Sequence, residues 1–249
     1  MKILNLSDLH IHSRNIINFP LTSYFKNKIN NLIVDNDPDV VIITGDIFES
    51  SVYKGMHESL AGIFGDRTVI CCLGNHEFFY KTVEKTLEDY KNDYNPDKYD
   101  VHYLDVVGNK LIDNVNFIGN VLWYDGSMST IDEQNLYQWN GWMDQTIMNF
   151  NYLTASENCV NQIKENILDT HTNVLCTHTV PHSLMNGHMS KLDSPYNAYS
   201  GIAKLVENIN VQYSFSGHTH WKEENVINNT KCYNPGSDYG NLQYFIIEI

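Results

Sequence analysis

Residues 39–46 read Asp39-Val40-Val41-Ile42-Ile43-Thr44-Gly45-Asp46. Four consecutive β-branched residues describe a strand covered on both faces, because an open face would show alternation with polar residues. Gly45 ends the strand and Asp46 follows it. Upstream, Thr22–Asn36 carries Phe25, Ile29, Leu32 and Ile33 on one helical face and stops before Pro38. Before that helix, Lys2–Leu6 is a short apolar strand ending at Ser7-Asp8. Downstream, a helix over His57–Phe64 leads to a strand over Thr68–Leu73, which ends at Gly74-Asn75-His76-Glu77, and Lys81–Lys91 is helical again. The order β-α-β-α-β predicts a mostly parallel α/β sheet. Ligands in such sheets bind beyond the C-terminal strand ends, where Asp8, Asp46 and Asn75 stand.

The second half is less regular. Val101–Leu104, Lys110–Ile112 and Val115–Trp123 read as short antiparallel strands, with Asp113-Asn114 as a turn. A helix over Ser156–Leu168 precedes strands over Asn173–Thr177, ending at His178, and Val211–Ser216, ending at Gly217-His218. Further strands are predicted over Glu224–Ile227 and Leu242–Glu248. No repeat or linker divides the chain, so one domain over residues 1–249 is expected, with an irregular aromatic-rich insertion at about residues 124–152.

Bulk properties narrow the function. Formal net charge is −14, which disfavours the lysine and arginine track that duplex nucleic acid requires. No run approaches the roughly 18 apolar residues of a membrane span, and the apolar start is too short for a signal peptide. The five cysteines are odd in number and three fall in predicted core strands, so reduced thiols in a cytoplasmic protein are expected. Cys176, two residues before His178, is the one placed to raise the question of a nucleophile.

Five segments share one character: Asp8-Leu9-His10, Gly45-Asp46, Gly74-Asn75-His76-Glu77, His178, and Gly217-His218-Thr219-His220. Each follows a predicted strand and offers Asp, Asn or His. Strand ends of one sheet are neighbours, so these side chains should converge. Imidazole, carboxylate and amide oxygen suit Mn, Fe, Zn or Co, and the thiolates of a structural zinc site are missing. Seven candidate ligands, Asp8, His10, Asp46, Asn75, His178, His218 and His220, exceed what one open catalytic metal uses. They fit two divalent transition-metal ions sharing a carboxylate, about 3.5–4 Å apart.

The order of these motifs, across residues 4 to 237, resembles the calcineurin-like metallophosphoesterase superfamily. The resemblance implies a sandwich of two mixed β-sheets flanked by helices. It implies that Asp8, His10 and His220 hold one ion, that Asn75, His178 and His218 hold the other, and that Asp46 bridges them. His76 would be catalytic and not a ligand. The serine/threonine protein phosphatases of that superfamily carry arginines after Gly-Asp and after Asn-His-Glu. Here Ile47-Phe48 and Phe78-Phe79 stand instead, so that branch is disfavoured. Residues Phe117–Trp123 and Thr177–Pro181 look similar to small bacterial and phage members.

The expected activity is metal-dependent hydrolysis of a phosphate ester, as a phosphodiesterase or phosphatase on a small nucleotide-like substrate, with manganese the favoured ion in vitro. A nuclease is the alternative, and a catalytically inactive scaffold is disfavoured because no ligand is missing. Several residues have plainer readings. His12 and His182 are structural unless they stand behind the ligands. His57, His102, His171 and His188 are solvated or satisfied. Trp123, Trp139 and Trp142 pack that segment onto the sheets unless they stack a base.

Overall fold

In a computed structural model, residues 1–11, 20–48, 55–124, 152–185, 204–238 and 241–249 are described. In chain order they form β1 (Lys2–Leu6), α1 (Pro20–Asn36), β2 (Val40–Thr44), α2 (Met56–Phe64), β3 (Thr68–Cys72), a 3₁₀ turn (Asn75–Phe78) and α3 (Val83–Asp93). Then come β4 (Val101–Tyr103), α4 (Leu104–Val107), β5 (Asn109–Ile112), β6 (Val115–Asn120), α5 (Tyr152–Glu165) and β7 (Thr172–Thr177). A 3₁₀ turn (Ser183–Met185), α6 (Leu205–Asn208), β8 (Tyr213–Phe215), β9 (Glu223–Ile227), β10 (Thr230–Asn234) and β11 (Phe245–Glu248) complete the order.

The strands make two mixed sheets, β11-β1-β2-β3-β4 and β5-β6-β7-β8-β10-β9. The run at 40–44 is central to the first, parallel to β1 and β3, with Val41 opposite Leu4 and Val69. Its two faces explain its composition. Val40 and Ile42 pack with Phe117, Val174 and Phe215 of the other sheet, whereas Val41 and Ile43 join the core that includes Ile29 of α1 and Leu60 of α2. Each face needs an apolar side chain, so alternation disappears.

Two predictions from the middle of the chain are corrected. The segment at 101–104 is not an antiparallel neighbour of the strands that follow. Its strand part, β4, runs parallel to β3 at the edge of the first sheet, and Leu104 already opens a helix. The strand predicted over Val115–Trp123 ends at Asn120; it is antiparallel to β5 but parallel to β7. β10 escaped the sequence reading. Its side chains are buried at Thr230, Cys232, Tyr233 and Asn234, and its apolar content is small. Thr82 accepts from Lys85 N–H and caps α3, so this helix starts at Val83 and not Lys81.

The aromatic-rich insertion lies almost wholly outside the described residues, including Trp139 and Trp142. Trp123 is described and is core: it is buried and meets Phe78 edge-on at 5.0 Å. Among the described residues, no helix is long and apolar enough to cross a membrane.

Candidate metal centre

The C-terminal ends of β1, β2, β3, β7 and β8 open on one edge of the sandwich. Hydrogen bonds hold the sheets together there. Thr44 Oγ1 donates to Ser216 O at 2.9 Å, and His178 Nδ1 meets Thr44 O at 3.0 Å. A carbonyl can only accept, so Nδ1 carries a proton and Nε2 is the nitrogen turned to the site.

All seven predicted ligands meet at this edge. Asp46 lies at the centre, with Oδ2 3.4 Å from His178 Nε2 and 3.9 Å from His10 Nε2. On one side, His220 Nε2 lies 3.5 Å from Asp8 Oδ1 and 3.3 Å from His10 Nε2. On the other, His178 Nε2 is 2.8 Å from Asn75 Oδ1 and 3.1 Å from His218 Nδ1. Asp8-His10-His220 and Asp46-His178-His218 each gather three donor atoms within 4.8 Å, and so does His10-Asp46-His76. His76 Nε2 itself is 3.7 Å from Asp46 Oδ2, and its ring packs on Phe79 at 4.3 Å.

The backbone conformation is also unusual. Asp8, His10, Asp46, His218 and His220 all have positive φ, between 44° and 68°. L-residues avoid this region, and such strain gathers where side chains must be aimed. The glycines serve the same packing. A Cβ on Gly45, at φ 78°, would lie 2.3 Å from the His178 ring, and one on Gly74 would lie 2.1 Å from Asp46 Oδ1. Any side chain at either position would push a predicted ligand aside.

The electrostatics describe a site that attracts a cation. Burial penalises the Asp8 and Asp46 charges, but hydrogen bonds and charge from His220, His178 and His76 outweigh it, and both carboxyls fall below their ordinary range. Burial works against a charged His178 too; the Asp46 and Asp8 carboxylates overcome it and push the imidazole up to about 10. His10, by contrast, is lowered by burial despite those carboxylates. An oxygen–nitrogen donor set of this kind suits a divalent transition metal.

Behind the predicted ligands stand groups the sequence left without roles. Glu77, fully buried, accepts from Phe48 N–H and Gly74 N–H, both at 2.7 Å, joining the loops after β2 and β3. Burial, with Asp46 adding, pushes its carboxyl up to about 8. Its place in Gly-Asn-His-Glu was the signal available. Asp238 Oδ1 lies 3.2 Å from His220 Nδ1 and orients that ring, with no motif to announce it.

The plainer readings fare unevenly. His182 is buried and paired with Glu207 at 2.9 Å. His57 and His102 are buried and hydrogen-bonded, in keeping with the reading of them as satisfied. His12 and His188 lie outside the described residues. All five cysteines are free and buried, and burial pushes the Cys176 thiol well up, which disarms it as a nucleophile.

The family profile described as calcineurin-like phosphoesterase matches residues 1–222. No curated protein matches the sequence. Among solved structures, phosphopantetheinyl hydrolase (PptH) from Mycobacterium tuberculosis is similar at 15% identity and a TM-score of 0.70, over 98% of this chain and 95% of that one. TT1561 of Thermus thermophilus is similar at 10% identity and a TM-score of 0.61, over 95% and 89%. At such identities the likeness establishes the shared fold.

Proposed function

The chain belongs to the calcineurin-like phosphoesterase family and is a hydrolase of phosphoric esters, and from that premise we propose that it uses two divalent transition-metal ions to cleave a small nucleotide-like phosphate ester. Asp8, His10 and His220 would hold one ion, Asn75, His178 and His218 the other, and Asp46 both. The observation that carries this reading is Asp46 Oδ2, a single buried oxygen within 3.4–3.9 Å of His178, His76 and His10. When bound, such an ion pair neutralises phosphoryl charge and lowers the pKa of water towards ~7.

The chain's own groups do the rest. Asp8 accepts His218 N–H at 3.0 Å, so the loops of the two sheets fix each other before substrate arrives. His76 is the candidate general acid. Its side chain is partly exposed at 17%, and its backbone N–H is tied to Asp46 Oδ1 at 3.0 Å. It would protonate the departing oxygen, a contribution of typically ~10²–10⁴-fold. A second reading makes His76 itself a ligand, since His10, Asp46 and His76 also form a metal-sized group.

The proposed substrate size follows from charge and from the place of the one arginine among the described residues. Arg67 is bonded to Asp37 and to Pro38 O just before β3, at the end of that strand away from the site. Arg67 thus stands away from the centre, and the net charge of −14 disfavours a polymer track.

Chelator-treated protein should hydrolyse a bis-nitrophenyl phosphate only after Mn²⁺ is restored. A panel of nucleotides, cyclic nucleotides, oligonucleotides, a phosphopantetheinyl diester and a phosphoserine peptide then ranks substrates. Absence of metal-dependent hydrolysis across the panel would refute the function; a peptide or oligonucleotide as best substrate would refute the proposed class. The variant His76→Ala should keep both ions and slow poor leaving groups by roughly 10²-fold or more, with a smaller loss for nitrophenolate, which departs almost unaided. Loss of metal in His76→Ala would favour the ligand reading.

A further inference from the structure

The backbone from Leu73 to His76 hangs from three carboxylates, two buried (Asp46 and Glu77) and one half-buried (Asp105). His76 N–H donates to Asp46 at 3.0 Å, Gly74 N–H to Glu77 at 2.7 Å, and Leu73 N–H to Asp105 Oδ2 at 2.8 Å. Asp46 and Glu77 lie in the metal-site motifs. Asp105 does not; it sits in the first turn of α4.

Its second oxygen reaches the other sheet. Val121 N–H donates to Asp105 Oδ1 at 2.8 Å, one residue past β6. Val121 O in turn accepts Thr179 N–H at 3.3 Å, and Leu122 O accepts the Thr179 hydroxyl at 2.5 Å. Thr179 follows His178, and Leu73 is two residues before Asn75. One carboxylate thus joins the backbone carrying Asn75 to the backbone carrying His178, whose side chains meet at 2.8 Å. Leu122 is held at φ 55°, so the turn on this side is strained as well. An apolar residue at 105 would leave two strand-end N–H groups without an acceptor, and an amide could accept only with its single oxygen.

We propose that Asp105 is a positioning residue for one of the two ions, the one assigned to Asn75, His178 and His218, and that it sets the spacing of the sheets at that half of the centre. This rests on the dinuclear reading above. Both of these ties serve backbone beside Asn75 and His178, whereas Asp8, His10 and His220 stand on the loops after β1 and β8.

Calorimetric titration of the chelator-stripped full chain with Mn²⁺ tests it, beside thermal melts. Wild-type protein should bind two ions. Asp105→Asn should bind one ion as wild type does and the other roughly 10- to 100-fold more weakly, the usual range for groups that orient ligands. Asp100→Asn removes a half-exposed carboxylate beside His102, which is paired with Ile70 within β3, and should lower the melting temperature without moving either affinity. If Asp105→Asn does not fold, Asp105→Glu keeps the charge but changes the reach, and should show the same loss at one ion. Two wild-type affinities in either variant would overturn the proposal, leaving Asp105 a purely structural clamp; so would equal weakening of both ions. A wild-type chain that binds a single ion would instead overturn the dinuclear reading beneath it.

Discussion

His178 and His102 look alike in a list of residues. His102 lies within a strand and His178 directly follows one, both are buried, and both have an aspartate within reach. They behave in opposite ways. His102 Nδ1 meets the Tyr94 hydroxyl at 2.9 Å and Nε2 meets Asp100 at 2.7 Å. Each ring nitrogen has one partner, with the hydroxyl donating to one and the other donating to the carboxylate. Asp100 is half-exposed, and burial wins, so His102 is lowered from its ordinary value. His178 spends its Nδ1–H on Thr44 O. Its Nε2 then faces Asn75 Oδ1, His218 Nδ1 and Asp46 Oδ2 within 3.4 Å, and no single proton can satisfy them all. Burial alone makes a quiet histidine; a surplus of buried lone pairs around one point makes a cation site.

The strongest way to break this contrast is to remove the surplus at its centre. Asp46→Asn should weaken both ions and lower kcat/KM by about 10³-fold or more, because several kcal/mol of charge stabilisation depend on the paired ions. Metal analysis alongside kinetics checks it, and two tightly held ions in that variant would contradict the bridging role.

A smaller effect concerns pH. His178 is raised in the folded, metal-free protein to about 10 from an ordinary 6.5. Its contribution to stability is therefore complete below pH ~6.5 and is lost as pH rises through about 10. Glu77, held at about 8 against an ordinary 4.5, acts in the same direction, since the folded state keeps a proton the unfolded chain gives up. Melting of chelated protein should fall from pH 6 towards 9.5, and Mn²⁺ should flatten the fall by replacing the His178 proton. A slope indifferent to Mn²⁺ would mean that the centre does not exchange a proton for an ion.

The smallest effect on activity belongs to the matched histidine. His102→Ala should cost about 1–3 kcal/mol of stability by stranding Tyr94 and opening the core. It should leave kcat/KM and metal content within about twofold, as expected for a residue sharing no partner with the site. A loss comparable with that of Asp46→Asn would erase the distinction between the two environments.

Much of this was legible in the sequence. The run at 40–43 announced a doubly covered strand, and the Asp, Asn and His residues after successive strands announced a convergent site. Those signals are local: β-branched runs, glycine turns and residue types at fixed offsets. The misplaced β4 and the unseen β10 show where local signals end. A three-residue strand carries no record of which sheet it joins, and β10 alternates too little to declare its faces.

The sequence by itself determined which residues could chelate and the order in which strands present them, because donor chemistry and turn chemistry belong to single residues and their neighbours. Only the tertiary structure decided that Glu77, buried, and Asp105, half-buried, are acceptors for strand-end N–H groups. It alone separated His102, fully matched, from His178, which is not. Hydrogen-bond matching in a buried site depends on groups contributed from distant parts of the chain, and no spacing along it encodes their sum.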